Sequence, residues 1–284
     1  MTPRFDLQSH SVHSDGALAP AAVVERAADA GVEVLALTDH DTVDGVAEAA
    51  RAARARGLRL VPGVELSTID EAGEDLHLLG YEIDPDDQTL AEALHRYRAD
   101  RAGRIGRMAD AMRELGWEVD ESVFAGRTSP GRPHLAAAVF DHPANAARLA
   151  EEELSDSTAL LVAYLIPGAP AFRGRTTPTV AEAIDVVHAA GGVAVWAHPY
   201  WDISDDDTVA ACLRRFAAAG LDGVEAFYIT HTPAQTSRLV ALADELGLLT
   251  TGSADFHGPE HPTFSRFLAY DTGGATPRLG AIGA

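Results

Sequence analysis

The chain has 284 residues, with 43 acidic and 22 basic side chains and a formal net charge of −21. This charge argues against an extended surface for duplex nucleic acid or for a membrane, because either would need a basic field to attract phosphates. The single cysteine, Cys212, excludes an intrachain disulfide and a cysteine-based zinc site.

The N-terminus carries no basic and apolar leader segment, and no apolar run is long enough to cross a bilayer. We therefore expect a cytoplasmic protein. The length is compatible with a single α/β barrel that contains an insertion.

Short runs rich in Val, Leu and Ile alternate with longer Ala-rich stretches, a pattern typical of β/α units around parallel strands. Strands are predicted at residues 5–9, 32–38, 59–66, 75–82, 192–197, 223–227 and 248–252. Helices are predicted at residues 20–30, 43–56, 180–190, 206–219 and 233–246, and several stop at a glycine, the usual residue after a helix C-terminus. The pattern predicts an α/β fold of the distorted (β/α)7 barrel type.

The alternation breaks between about residues 84 and 175. A long helix is predicted at residues 90–115, followed by shorter helices and no convincing strand. We therefore expect a barrel domain made of residues 1–86 and 175–284, interrupted by a helical insertion at residues 87–174. Residues 167–170 and 173–178 have the composition of the returning linker.

Side chains that bind metals lie in or just past the C-terminal ends of the predicted strands. They are Gln8, His10, Asp15, His40, Glu65, His77, His198, Asp255 and His257. In a parallel barrel these ends share one face, so residues far apart in the sequence meet there. A hydrogen-bonded core or surface residue is the simpler explanation for any one histidine, but scattered core histidines would not all fall at strand ends. The set predicts a polynuclear metal site.

Two pairs in this set have the same spacing. Gln8 and His10 alternate by two in a strand, as do Asp255 and His257, so both side chains of a pair point to one face. Gln8 weakens its position, because a neutral carboxamide is a poorer ligand for zinc than an imidazole.

The motifs around these residues, in this order, resemble the PHP (polymerase and histidinol phosphatase) family of metal-dependent phosphoesterases. They include Ser14-Asp15-Gly16, Thr38-Asp39-His40-Asp41 and Ala197-His198-Pro199. The family has histidine where this chain has Gln8. Asp39 and Asp41 flank His40 and are candidates to orient the ligands, since a ligating histidine usually donates its second N–H to such a group.

The resemblance implies two or three divalent ions, with Mn expected first and Fe or Zn as alternatives. Each ion would have its own share of the nine side chains: Gln8, His10, Glu65 and Asp255 for the first; Glu65, as a bridge, with His77 and His198 for the second; and Asp15, His40 and His257 for the third.

The insertion contributes a second group of candidates. Arg101 and Arg104 fall on the apolar stripe of the long predicted helix, so they are expected to face an interior or a cleft. Arginine there suits bidentate phosphate binding. The alternative is that both side chains are paired with acids elsewhere.

The segment Gly131-Arg132-Pro133-His134 resembles a motif of one PHP subgroup, in which a helical insertion caps the barrel and the enzyme acts on phosphorylated nucleotides. Pro133 is suited to a helix start, which would put Arg132 and His134 near an anion-attracting N-terminus. His231 follows a predicted strand and could contact substrate or protonate a leaving group. A surface helix start and a capping loop are the respective alternatives.

Closely spaced divalent ions suit the hydrolysis of a phosphate ester by a metal-bound hydroxide. On that hypothesis Asp15, His40, Glu65, Asp255 and His257 are catalytic. A serine triad has no comparable support, because Gly-x-Ser-x-Gly is absent.

The expected substrate is a nucleoside 3′,5′-bisphosphate or a short 5′-phosphorylated oligonucleotide, hydrolysed at a phosphate monoester. Three alternatives stay open: a cyclic-phosphate diesterase, a phosphatase of small metabolites such as histidinol phosphate, and a module that binds metal or a partner without catalysis. The sequence leaves the oligomeric state open.

Overall fold

The computed structural model describes residues 4–71, 75–125, 130–174 and 178–284. Seven strands form one sheet in chain order: β1 (Phe5–Asp6), β2 (Val34–Leu37), β3 (Arg59–Ile69), β4 (Asp75–Tyr81), β5 (Val193–Trp196), β6 (Gly223–Tyr228) and β7 (Leu249–Ser253). The first and last strands meet, since Leu7 N donates to Gly252 O over 3.2 Å and Ser9 bridges to Phe256. The distorted (β/α)7 barrel is confirmed.

The expectation of parallel strands throughout is wrong at β4. This strand is antiparallel to both neighbours, with Gly63 opposite Tyr81 on β3 and Leu78 opposite Trp196 on β5. The reason is the short connection, residues 70–74, between β3 and β4. Parallel neighbours need a crossover of a dozen or more residues, whereas a hairpin needs only a few.

The helices of the described residues follow the predicted order. They are α1 (Pro20–Asp29), α2 (Val46–Arg56), α3 (Gln88–Glu114), α4 (Arg132–Phe140), α5 (Ala146–Glu151), α6 (Ser157–Tyr164), α7 (Val180–Ala189), α8 (Pro199–Asp202), α9 (Asp206–Ala218) and α10 (Pro233–Leu246). Local sequence sets several ends: Thr179 and Thr232 accept from backbone N–H groups at helix starts, and Gly57 and Gly247 end helices at positive φ. Among the described residues, no helix combines the length and apolarity needed to span a membrane.

The insertion between β4 and β5 is helical, as expected, with short 3₁₀ turns at Glu121–Val123 and Pro143–Asn145. Its helices α3 to α6 enclose a core of their own that includes Met108, Met112 and Trp117. The first half of α3 packs instead on the barrel core through residues such as Leu94 and Tyr97. Helix α3 therefore joins the two cores. Part of the expected return linker, residues 175–177, lies outside the described residues.

Candidate metal centre and its cavity

Eight of the nine predicted ligands meet at one rim of the barrel. Their donor atoms form overlapping groups in which the atoms lie within 4.8 Å of one another, and Asp202 completes the group of His77 and His198. The predicted ligands in these groups are His10, Asp15, His40, Glu65, His77, His198, Asp255 and His257. We call these eight residues the cluster.

Strand direction explains how the cluster assembles. His40, His198 and Asp255 lie just past β2, β5 and β7, as the prediction required. His77 lies near the N-terminal end of β4, so its expected position at a C-terminal strand end is wrong. Because β4 runs antiparallel, that end reaches the same rim. Glu65 lies in the middle of β3, which continues beyond the rim into the hairpin.

Glu65 occupies the middle of the cluster. Its Oε2 lies 3.1 Å from His10 Nε2, and its Oε1 lies 2.9 Å from His77 Nδ1 and 3.2 Å from His198 Nε2. The two oxygens of one carboxylate thus face different sets of imidazoles. Such a carboxylate has the geometry to bridge two cations.

The remaining members surround His10. Its Nε2 lies 3.1 Å from Asp255 Oδ1, and Asp15 Oδ1 lies 3.5 Å from His257 Nε2. Asp15 Oδ2 is 3.6 Å from His40 Nε2. Asp255 has φ of +53°, and such strained backbone is concentrated at functional sites.

The carboxylates of the cluster are held in their ionised form. Burial raises the pKa of Glu65, but His40 and His77 outweigh burial and hold that pKa well below its ordinary value. Burial likewise opposes ionisation of Asp255, yet His257 and His10 lower its pKa to about 2. Both groups are therefore anionic at neutral pH, as the ligands of a cation must be.

The donor set fits divalent cations. Within the described residues, His10 Nε2, His40 Nδ1 and Asp255 Oδ1 are buried without a partner in hydrogen-bond geometry. Buried polar atoms of this kind cost free energy unless something satisfies them. Mixed carboxylate and imidazole donors suit Mn, Fe or Zn, so such ions would satisfy the cluster.

Gln8 contacts the cluster through Glu65. Its Nε2 donates to Glu65 Oε2 over 3.0 Å, and its Oε1 lies 3.3 Å from Ser253 Oγ. In this orientation the amide presents its nitrogen to the cluster, and an amide nitrogen is a donor and not a ligand. Turning the amide by 180° would present the oxygen, so Gln8 as a ligand stays a prediction.

Asp39 orders the first loop of the cluster and does not touch the ring of His40. It accepts from Ser11 N and from Ser14 Oγ, each over 2.7 Å. Ser14 Oγ in turn lies 3.3 Å from His10 Nδ1. The acid therefore orients His10 through a serine and not the histidine next to it in sequence.

A cavity of about 360 Å³ opens onto the cluster, within the usual range for small-ligand sites. Its lining includes members of the cluster, three arginines of the cap (Arg101, Arg104 and Arg132), the rings of Trp201, His261 and Phe264, and apolar and hydroxyl side chains of the cap such as Ile105, Leu161 and Ser157. The cap and the barrel therefore share one cavity.

Arg101 lines the cavity and is also paired with an acid. The sequence had left these as alternatives, and for Arg101 both apply. Its Nη1 donates to Asp41 Oδ2 over 3.1 Å and to Ser67 Oγ over 2.8 Å, and its Nε donates to Pro130 O over 2.9 Å. Asp41, the second acid beside His40 in sequence, thus serves the arginine. Gly131 leaves room for it, because a Cβ there would lie 2.8 Å from Arg101 Nη2.

Arg104 is held in the same way. Its Nη2 donates to Asp75 Oδ2 over 2.5 Å and its Nε donates to Arg173 O over 2.6 Å. Arg132 Nη1 lies 3.6 Å from the same Asp75 oxygen. One carboxylate is therefore shared by two guanidinium groups, and this wall of the cavity keeps a positive character.

The two histidines predicted to bind substrate are not among the described residues that line the cavity. His134 Nδ1 accepts from Gly131 N over 3.0 Å at the start of α4. His231 Nδ1 donates to Ala226 O over 3.2 Å beyond β6. In each ring the Nδ1 atom thus bonds to a backbone group of its own loop.

Sequence reasoning missed other side chains near the cluster. Asp202 Oδ2 lies 3.5 Å from His198 Nδ1, and Tyr228 donates to Asp255 Oδ2 over 2.8 Å. Asp202 follows His198 by four residues, and that spacing within a short helix could have indicated it. The aromatic lining residues had no periodic signal.

Comparison with known proteins identifies the relatives of the chain. A 3′,5′-nucleoside bisphosphate phosphatase of Chromobacterium violaceum is 32% identical over 265 residues, covering 90% of this chain and 87% of that protein. A 5′-3′ exoribonuclease of Haemophilus influenzae is 33% identical over 264 residues, covering 91% and 92%. A phosphoribosyl 1,2-cyclic phosphate 1,2-diphosphodiesterase of Eggerthella lenta is 32% identical over 260 residues, covering 89% and 94%.

Solved structures agree with these relatives. An amidohydrolase from Chromobacterium violaceum with bound sulfate superposes with a TM-score of 0.81 at 30% identity, and a candidate metal-dependent phosphoesterase from Bifidobacterium adolescentis with 0.78 at 29%. Each comparison covers 93% of this chain and 91% of the other. Residues 6–122 match the family model described as the PHP domain. The chain belongs to the PHP family of metal-dependent phosphoesterases.

Proposed function

We propose that this phosphoesterase hydrolyses a phosphate monoester of a nucleoside 3′,5′-bisphosphate or of a short 5′-phosphorylated oligonucleotide. One observation carries the proposal: the cluster and the guanidinium groups of Arg101, Arg104 and Arg132 line the same cavity. A substrate with two separated anionic groups fits such a cavity, with one phosphate at the cluster and the other at the arginines. The name of one relative, a nucleoside bisphosphate phosphatase, supports both this substrate class and a monoester bond. The name of another, an exoribonuclease, supports the oligonucleotide as substrate, although an exoribonuclease breaks a phosphodiester.

The metal ligands in this proposal are the eight cluster residues, with Gln8 as a ninth after rotation of its amide. Two or three divalent ions would bind, with Mn the first candidate and Fe or Zn the alternatives. Glu65 would help to hold ions on both sides of the cluster, because its two oxygens face His10 on one side and His77 and His198 on the other. When bound, the ions would supply Lewis-acid charge and an activated water.

The chain itself would bind and orient the substrate. Arg101 and Arg104 are fixed by main-chain oxygens and carboxylates, so they need little reorganisation on binding. Arg132 is the most accessible of the three, with 26% of its side chain exposed, and would hold the phosphate that is not cleaved. We assign that role to the arginines in preference to His134 and His231, whose rings bond to backbone groups.

We also propose that residues 87–174 form the cap domain and that residues 1–86 and 175–284 form the barrel domain. The separate core inside the insertion, with Met108, Met112 and Trp117, supports this division. The cap would hold the phosphate that is not cleaved, and the barrel would hold the metal ions.

The test is phosphate release in the presence of Mn²⁺. Adenosine 3′,5′-bisphosphate and a 5′-phosphorylated trinucleotide should be hydrolysed with a kcat/KM well above that for adenosine 5′-monophosphate, ribose 5-phosphate and histidinol phosphate. Asp255→Asn, which keeps the shape of a cluster donor and removes its charge, is the control for contaminating phosphatases. A kcat/KM for the monophosphates equal to that for the bisphosphate and the trinucleotide would contradict the proposal.

A cyclic-phosphate diesterase is the second candidate, favoured by the relative from Eggerthella lenta. The same cations would act on a diester. The two functions separate on a five-membered cyclic phosphate of ribose: ring opening at a rate above that for the bisphosphate would favour the diesterase.

A further inference from the structure

One wall of the cavity is aromatic, and the proposed hydrolysis does not use it. Trp201 is 52% exposed there, whereas Trp117 and Trp196 are each 1% exposed. His261 and Phe264 line the same wall. Three neighbouring rings that line one cavity beside a group of candidate metal ligands form a continuous aromatic surface, and such surfaces are typical of ligand sites.

The rings support one another in a fixed arrangement. The centroid of Trp201 lies 5.4 Å from that of Phe264, with 63° between the ring planes, and 6.5 Å from that of Tyr228, at 71°. Phe264 stacks on His261 at 4.9 Å and 23°. Both contacts of Trp201 are edge-to-face, so neither neighbour stacks on the indole in the offset-parallel manner of a base.

The aromatic wall is also tied to the cluster. Tyr228 packs against Trp201 and donates its hydroxyl to Asp255, and Phe264 lies 5.4 Å from the ring of His257. A flat group that lay against Trp201 would therefore be held at a set position relative to the cluster. The positively charged part of the lining comes from the cap, through Arg101, Arg104 and Arg132.

We infer that Trp201, supported by Phe264 and His261, is the stacking platform for the nucleobase of the substrate. The inference rests on the proposed function, since it assigns the part of a nucleotide that neither the cluster nor the arginines would bind. Stacking on aromatic rings is tolerant of base identity, because every base has a π-face. The enzyme should therefore accept all four bases and bind purines more tightly than pyrimidines, because purines offer the larger ring.

The kinetic test compares Trp201→Ala and Trp201→Phe with the Mn²⁺-loaded wild type. On adenosine 3′,5′-bisphosphate, Trp201→Ala should raise KM about 10-fold or more with little change in kcat. Trp201→Phe should have a KM close to that of the wild type, because phenylalanine keeps a ring for stacking. On ribose 3,5-bisphosphate, which has no base, wild type and Trp201→Ala should have similar KM values. Val162→Ala is the matched control, because Val162 is 54% exposed in the cap and is not among the described residues that line the cavity.

A binding measurement keeps the inference testable if no bisphosphate is hydrolysed, an outcome that would count against the proposed function alone. Adenosine 5′-monophosphate should quench the fluorescence of Trp201, and ribose 5-phosphate should not. Trp201→Phe, which leaves the buried Trp117 and Trp196, should remove the quenching. Absence of quenching in the wild type, or an equal KM rise on substrates with and without a base, would overturn the platform.

Discussion

Gln8 donates a hydrogen bond from its amide nitrogen to Glu65 Oε2 over 3.0 Å. The carboxylate that faces both sides of the cluster is therefore held by a residue that occupies a ligand position of the PHP family pattern. Ser253 Oγ lies 3.3 Å from the oxygen at the other end of the amide and donates its hydrogen to Glu225 over 2.6 Å. The amide thus maintains the position of Glu65 without supplying the charge or the basicity of an imidazole.

Gln8→His should increase metal binding. A histidine at position 8 would face Glu65, which forms one group of candidate ligands with His10 and Asp255, and an imidazole is a stronger ligand for these ions than a carboxamide. Metal analysis after dialysis against a fixed concentration of Mn²⁺ should find more ions per chain in the variant than in the wild type. Asp255→Asn, measured alongside, should bind fewer. Equal metal content in Gln8→His and wild type would mean that Gln8 already serves as a ligand or that the position is not used.

Removal of metal should abolish phosphate release and lower thermal stability. The cluster buries several carboxylates beside unsatisfied imidazole nitrogens, so cations bind the folded state in preference to the unfolded state. Free ion at 100 times its Kd would stabilise the fold by about 2.7 kcal/mol, or roughly 5–10 °C in Tm for a chain of this size. Thermal unfolding with Mn²⁺ and with a chelator measures the difference. Identical Tm values would contradict the presence of a metal centre.

Arg132→Gln should weaken binding of the second phosphate. The guanidinium lies on the cavity wall and shares Asp75 with Arg104, so its loss removes a bidentate donor and leaves the cluster intact. KM for adenosine 3′,5′-bisphosphate should rise about 10-fold, and KM for adenosine 5′-monophosphate should change by less than about 3-fold, since a charged hydrogen bond contributes about 1.5–3 kcal/mol. Steady-state kinetics on both substrates decide the point. Equal effects on the two would assign Arg132 to the cleaved phosphate.

Gly131→Ala should displace Arg101. The added Cβ would lie 2.8 Å from Nη2, and the guanidinium cannot move without breaking its contacts with Asp41 and Ser67. We expect a loss of about 1–3 kcal/mol in the free energy of unfolding, as for other overpacked sites, together with a higher KM.

Gly106→Ala is the control for this substitution. Nothing lies within 4 Å of the position of its Cβ in the middle of α3, so the free energy of unfolding should rise by about 0.5–1 kcal/mol. Denaturant unfolding of both variants provides the comparison. If the two variants had the same stability, close packing of Arg101 against residue 131 would be excluded.

The cluster and the cavity differ in how far the sequence predicts them. The spacing of Asp255 and His257 indicated one shared face, and the strand ends indicated a common rim, because both follow from backbone periodicity. The reversed direction of β4 depends on the length of one connection, and its effect on His77 was missed. Trp201 and Phe264 depend on how loops fold over the rim, and no period in the sequence encodes that arrangement.

His231 should make the protein less stable below neutral pH. Burial is the main cause that lowers the pKa of His231 to about 4 from its usual 6.5, because the charged ring would lose its hydration. Between these two pH values the unfolded state binds more protons than the folded state, so the free energy of unfolding falls as the pH is lowered through this window. From pH 7 to pH 5 the loss attributable to this residue is about 2 kcal/mol. The substitution His231→Gln should remove this pH-dependent loss in the free energy of unfolding.

Guanidinium-induced unfolding of the wild type and of His231→Gln at pH 7, 6 and 5 isolates this contribution. A chelator in all samples makes the titration of the cluster common to both proteins, so it cancels in the difference. The free energy of unfolding of the wild type should fall relative to that of the variant by about 2 kcal/mol over this range. A constant difference would mean that His231 is protonated as readily in the folded protein as in the unfolded chain. The ring would then lie in a more polar setting than its contacts with Ala226 O and the rings of Tyr200 and Tyr228 imply.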